Sequence, residues 1–248
     1  MPARKVLYST YARMEQRLAP GLRYSQDAYE AHLYRYVTAG TTWLDLGCGR
    51  RLLPAWRADS ERQLVARAQH VFGIDLDFDS LRDNDSVDNL CQSSVAALPF
   101  ANESFTLVTA NMVMEHVDDP AAMLRELHRV LRPGGHLIFH TPNARAFPTV
   151  MTRLMPDAIK QRAAYLLDGR DSKDVFPTYY RANNAATIRA LASGAGFDVA
   201  ELNLVSSTAV FALVPPLAAV ELLYIRSLRD PARAEKRSNI IAVLRRNR

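Results

Sequence analysis

Cysteine is scarce: Cys48 and Cys91 are the two thiols in 248 residues. Two thiols so placed give neither a disulfide framework nor a metal-ligand spacing, and a reduced, cytoplasmic setting is the expectation. The stretch from Met1 to Tyr8 lacks an apolar core of signal-peptide length, so nothing in it suggests export. Internal repeats, low-complexity segments and blocks of like charge are also missing. The net charge of +5 comes from basic residues, mostly arginine, spread along the whole chain. Such a balance suits nucleic acid, an anionic lipid surface or an acidic glycan only weakly. No aromatic-interleaved basic patch argues for nucleic acid. The length fits one α/β domain with decorations and is enough to bury a sizeable core.

One further absence is more telling. The chain is organised around Thr41 to Arg50, where the apolar residues Trp43, Leu44 and Leu46 read as a buried strand that enters a Gly47-Cys48-Gly49 turn. Glycines at such a turn let the backbone approach a ligand, and the following helix presents its N-terminal NH groups. A dinucleotide fingerprint needs a third glycine at position 52, and Leu52 stands there. Asp45 closes the strand just before the glycines. A carboxylate there repels a pyrophosphate and attracts a cationic tail. The plain alternative for the turn alone is an ordinary strand-to-helix connection.

A second strand, His70 to Asp75, also ends in an acid, and Leu76 follows it. In a strand–helix–strand unit the two strand ends lie side by side, so Asp75 can accept both hydroxyls of a ribose. The alternative for Asp75 is capping of the segment from Asp77. Between these strands, residues 52–69 read as a helix with Leu53, Trp56, Leu64, Val65 and Ala68 on its apolar side. Asn89 to Gln92 reads as a third strand. Phe105 to Ala110 reads as a fourth, which Asn111-Met112-Val113-Met114-Glu115-His116 leaves. Asp118-Asp119-Pro120 opens a helix whose end, Arg129 to Gly135, carries cations and a Pro-Gly-Gly stop. His136 to Asn143 is the fifth strand.

The motif Asp45-Leu46-Gly47-Cys48-Gly49, with Asp75, the Leu98-Pro99-Phe100 segment and the run to Asn143, resembles class I methyltransferases that use S-adenosylmethionine, in the small-molecule, quinone-biosynthesis-like branch. The resemblance covers residues 43–143 by motif and about 40–245 by fold. It implies a doubly wound, seven-stranded, mostly parallel sheet with one antiparallel strand, helices on both faces and an inserted lid. It implies that Asp45, Gly47, Cys48 and Gly49 hold the methionine part of the cofactor, Asp75 the ribose, and Leu76, Ser94 and Val95 the adenine. Asn111 and Met112 would border the methyl group. His116, next to Glu115, is the candidate base, because histidine is the side-chain type suited to general base work near neutral pH; a structural role for it stays open. Three positions depart from the family pattern: Arg51 in place of a glycine, which would crowd the loop, and Ser94 and Thr106 in place of acids.

The rest of the chain divides around this half. Residues 1–40 read as an N-terminal cover, mixed up to residue 25 and helical from Gln26 to Thr38. Residues 144–182 are a long insertion with a helical piece at about 149–167, expected to act as a lid. Tyr179, Tyr180 and Arg181 are its candidates to contact an acceptor, against plain packing. Residues 183–248 hold a helix, a sixth strand from Phe197 to Leu204, and an apolar stretch from Thr208 to Ile225. The Pro215-Pro216 pair and Glu221 argue there for a packing or interface helix rather than a membrane span. Basic residues beyond it leave peripheral contact with an anionic membrane open. Ser238 to Leu244 reads as the seventh strand, with a frayed tail after it. The whole is expected to be one methyltransferase domain acting on a small-molecule, lipid-linked or glycan-precursor acceptor. The rival is a non-enzymatic scaffold with the same fold.

Overall fold

The computed structural model describes residues 2–154 and 176–247. It is built on a seven-stranded mixed sheet in the order β3-β2-β1-β4-β5-β7-β6. The strands are β1 (Thr42–Leu46), β2 (His70–Asp75), β3 (Asn89–Gln92), β4 (Phe105–Asn111), β5 (Leu131–Pro142), β6 (Phe197–Val205) and β7 (Asn239–Arg246). The pairs β1–β2, β1–β4, β2–β3 and β4–β5 run parallel. The strand order reverses its direction of growth between β1 and β4. In open α/β sheets ligands sit outside the carboxyl ends of the strands at such a switch point.

The helices are α1 (Pro2–Leu18), α2 (Ser25–Tyr36), α3 (Ala58–Arg67), α4 (Phe78–Arg82), α5 (Pro120–Val130), α6 (Phe147–Leu154), α7 (Ala185–Gly194) and α8 (Pro215–Ser227). α5 shows how local chemistry and packing agree. The Asp119 carboxylate accepts from the Ala122 amide at 2.9 Å, Pro120 sits in the first turn, and Met123, Leu124, Leu127 and Val130 are buried along one face. The carboxylate of Asp77 caps α4 in the same way.

Several expectations need correction. Residues 2–18 are helical rather than mixed. Their stripe of Tyr11, Met14 and Leu18 packs with Ala218, Leu222 and Ile225 of α8, a partner invisible in local sequence. The helix expected over 52–69 is a 3₁₀ turn (Ala55–Arg57) followed by α3, so the apolar period breaks and Trp56 turns outward, 64 % exposed. The Arg132 to Gly135 stop lies within β5. Phe105 pairs with Leu131 but Leu107 with His136, so residues 132–135 bulge out of the ladder. The expected frayed tail is ordered through Arg246, whose guanidinium binds Glu103 at 3.1 Å and the Leu131 carbonyl. Of the helical piece at 149–167, α6 covers the start; residues 155–175 lie outside the described residues.

Contacts divide the described residues into two compact units. One comprises those of 1–28, 142–176 and 204–239. The other, which holds most of the sheet, comprises those of 29–141, 177–203 and 240–248.

Candidate functional site

The carboxyl ends of β1, β2 and β4 bring the glycine turn, Asp75 and Asn111 together. Gly47 and Gly49 both have positive φ, +63° and +48°, which side-chain-bearing residues rarely adopt. At Gly47 a Cβ would also meet Val113 Cγ2 at 2.6 Å, so the loop leaving β4 packs directly on the turn. Asp75 stitches the turn to β2: its Oδ2 accepts from the Gly49 amide at 2.8 Å and its Oδ1 from the Asp77 amide at 2.9 Å. Each oxygen keeps further lone pairs for a hydroxyl. Leu76 is 60 % exposed beside it. Ser94 and Val95 follow β3, where the Ser93 amide donates to the Asp75 carbonyl at 3.0 Å; the Ser94 hydroxyl accepts from the Ala96 amide at 3.2 Å.

Asp45 differs in character from Asp75. It is buried, and its carboxylate accepts from the Thr109 hydroxyl. Thr109 in turn accepts from Trp43 Nε1 at 2.6 Å and hydrogen-bonds Tyr29. That hydroxyl is therefore fully used. Burial first, and then the acids Glu61 and Asp75, push the Asp45 carboxyl well above the usual carboxylate range. Among the described residues no basic side chain pairs with it. Cys48, in the turn itself, is buried as well. Its thiol is buried against Gly73 and pushed up by that burial, so only its backbone remains for a ligand.

Sequence reasoning missed the environment of Asn111. Its Oδ1 accepts from Nδ1 of His140, the residue paired with it on β5, at 2.9 Å. His140 is buried and stacks on Tyr29 with ring centroids 5.7 Å apart; burial lowers its pKa to about 4. Among the described residues its buried Nε2 has no hydrogen-bond partner. Met112 takes a left-handed conformation, φ +58°, held by its amide bond to the His140 carbonyl at 2.8 Å. Among the described residues three other than glycine have positive φ, and two of them, Met112 and Tyr180, lie in this region. Strain of that kind collects at functional sites.

The exit from β4 also holds the end of the insertion. The Glu115 carbonyl accepts from the amides of Tyr179 at 2.7 Å and Tyr180 at 3.2 Å. Its buried carboxylate accepts from Thr141 Oγ1, which accepts from Asn183 Nδ2 at 2.6 Å. Burial raises the Glu115 pKa. The neighbouring His116 donates from Nδ1 to the Pro177 carbonyl at 2.8 Å, because a carbonyl can only accept. That tautomer makes Nε2 the basic nitrogen. Arg181 pairs with Asp118 at 2.8 Å and lies over the Tyr179 ring. Trp56, Leu76, Phe78, Met112 and Tyr179 all expose apolar surface on segments that follow these strand ends or close the insertion. Their being bare, which only the fold reveals, could not be read locally.

Two departures from the family pattern are explained by position. The Arg51 guanidinium turns away from the glycine loop to Glu61 at 3.4 Å and Asp85 at 2.7 Å, so it does not crowd the turn. Thr106 exchanges hydrogen bonds with the backbone of Thr42 at the amino end of the sheet, about 16 Å of strand away from Asn111.

Residues 44–139 match the family described as a methyltransferase domain. That match covers less than half of the 248 residues. A demethylmenaquinone methyltransferase of a Mycobacterium species is 40% identical over 78 residues, 30% of this chain and 34% of that protein. A probable S-adenosylmethionine-dependent methyltransferase of Mycolicibacterium smegmatis is 30% identical over 193 residues, 74% of this chain and 64% of that protein. The chain thus spans about a third to about two thirds of the length of these relatives. A methyltransferase structure from Mesorhizobium loti shares the fold with a TM-score of 0.55 at 19% identity, over 89% of this chain and 96% of that one. S-adenosylmethionine is the cofactor named for the Mycolicibacterium smegmatis relative and for the Mesorhizobium loti structure. The donor set present here fits it: a buried carboxylate that no cation among the described residues pairs with, a second acid at the end of the next strand, and a turn whose glycines adopt positive φ.

Proposed function

We propose that this chain transfers the methyl group of S-adenosylmethionine to a small-molecule, lipid-linked or glycan-precursor acceptor, acting as one methyltransferase domain. The observation that carries this reading is Asp45. An acid buried near two other acids, with no basic partner among the described residues, is costly unless a cation arrives. The amino group and sulfonium of the cofactor are such cations.

The bound cofactor supplies a methyl group already activated by its positive sulfur. The chain then has to bind, orient and exclude water. Asp45 with the turn at Gly47 and Gly49 would hold the methionine part, Asp75 the ribose, and Leu76, Ser94 and Val95 the adenine. Asn111 and Met112 would border the transfer site. Placement of an acceptor nucleophile in line can lower a barrier by on the order of 7–11 kcal/mol. His116, with Nε2 as its basic nitrogen, would take a proton from a hydroxyl acceptor. Tyr179, Tyr180 and Arg181 would meet the acceptor at the closing end of the insertion. The bare apolar side chains around the strand ends favour an acceptor with an apolar part, as does the quinone named for the mycobacterial relative. A reduced, cytoplasmic setting belongs to the same proposal.

Calorimetric titration with S-adenosylmethionine and with its demethylated product tests the reading. Micromolar binding of both supports it and justifies a screen of quinone, lipid and glycan acceptors. No binding by the folded protein would overturn it and favour the scaffold role.

A further inference from the structure

We propose that the outer faces of α6 and α8 form a docking surface for an anionic lipid bilayer. α8 has two charged residues in thirteen, Glu221 and Arg226. Its inner face, Ala218, Leu222 and Ile225, is buried with Tyr11 and Ala19. The opposite face, Leu217, Val220 and Leu223, is bare, with Val220 67 % exposed. A helix that is apolar all round belongs in a core or against lipid. Here the core covers one side only. α6 repeats the pattern at Phe147, Val150 and Leu154, the last 80 % exposed. The rings of Phe147 and Tyr224 meet edge-on at 6.1 Å and join the two helices. Contiguous bare apolar surface of this kind marks an interaction site.

Charge selects the occupant. Residues 142–154 and 204–239 contain seven arginines and lysines against three acids. All three acids are engaged. Glu221 accepts from the Val210 and Phe211 amides, Asp230 from the Ala232 amide, and Glu235 pairs with Arg145. Arg226, Arg229 and Arg233 follow the bare face at the end of α8 and beyond. A second copy docked about a two-fold axis would set this cluster against itself. Lipid phosphates complement it. At the carboxyl end of α8 a cavity of about 280 Å³, walled by Leu22, Val205, Ile225 and Leu228 and edged by Arg23 and Arg229, suits a phosphate headgroup with the start of its chain.

Among the described residues no helix is long and apolar enough to cross a membrane, so the contact proposed is with the surface. It does not depend on methyl transfer, because vesicle binding is measured without cofactor or turnover. The test is co-sedimentation of the full chain with vesicles of phosphatidylcholine alone and of phosphatidylcholine mixed with phosphatidylglycerol. The expected result is binding to the mixed vesicles only, weakened by added salt. The double variant Val220→Glu with Leu223→Glu should lower it about tenfold or more. Both side chains are exposed, and circular dichroism checks that the variant folds. Trp56→Ser, an exposed apolar change in the other unit, should leave vesicle binding unchanged. Equal sedimentation of wild type and double variant, or none with either vesicle, overturns the proposal. A dimer that the double variant dissolves, in a chain that ignores vesicles, would assign the face to a second copy instead.

Discussion

At the scale of single residues, the buried acid at the end of β1 sets the clearest expectation. Asp45→Asn removes the ionised form that a cationic cofactor needs. Cofactor affinity should fall about 10- to 150-fold, the loss of about 1.5–3 kcal/mol from a charge-assisted contact. The cofactor-free protein should be no less stable, because a group with a raised pKa costs stability when ionised. Calorimetry and thermal melts of the same variant read both effects. Gly47→Ala should cost more than a simple propensity change, because the added Cβ meets Val113 and φ stays positive. His140 sets a pH limit. Its pKa is depressed from 6.5 to about 4, so the unfolded chain binds the extra proton in that window. Stability is retained above pH 6.5 and falls as pH drops toward 4, by about 3 kcal/mol in all. Urea melts across that range, with His140→Phe as the flattened control, measure it.

At the scale of elements, α8 is held by its inner face and by Glu221. The carboxylate receives the amides of Val210 and Phe211 at 2.9 and 3.0 Å, which explains an acid in an otherwise apolar stretch. Glu221→Leu should therefore destabilise despite its apolar gain, because each unpaired amide costs about 1–3 kcal/mol. Leu222→Ala should cost about 2–5 kcal/mol by opening a cavity against α1. Denaturant midpoints of the two variants check both values. The strand exits behave as elements too. Glu115 ties Tyr179 and Tyr180 to the exit of β4 through its carbonyl, and Asn183 through its carboxylate and Thr141.

At the scale of the whole molecule, cofactor binding should be linked to protons. Asp45 is protonated over a wider pH range than an ordinary carboxyl, and a bound cation favours its ionised form. Binding at a pH below the raised pKa should release a proton, and affinity should rise with pH through that pKa. Titrations in buffers of different ionisation enthalpy would show a buffer-dependent heat. A heat independent of buffer at every pH would mean that Asp45 is not where the cation sits.

How much of this was legible in the chain depends on the range of the forces involved. The sequence by itself determined the alternation of strands and helices, the glycine turn and the two acids that end β1 and β2. Short-range rules govern these: periodicity, caps and the conformational freedom of glycine. It also carried the resemblance to a methyltransferase domain, since Asp45 to Gly49 are consecutive in sequence. Only the tertiary structure decided what those residues face. Cys48 points into the sheet, Arg51 away from the loop, and Trp56 to solvent, because packing overrides local period. It alone paired His140 with Asn111 across two strands, folded residues 2–18 against α8, and left one face of that helix bare. Those outcomes depend on partners far away in sequence, and burial of a group is a property of its neighbours rather than of its own residue type.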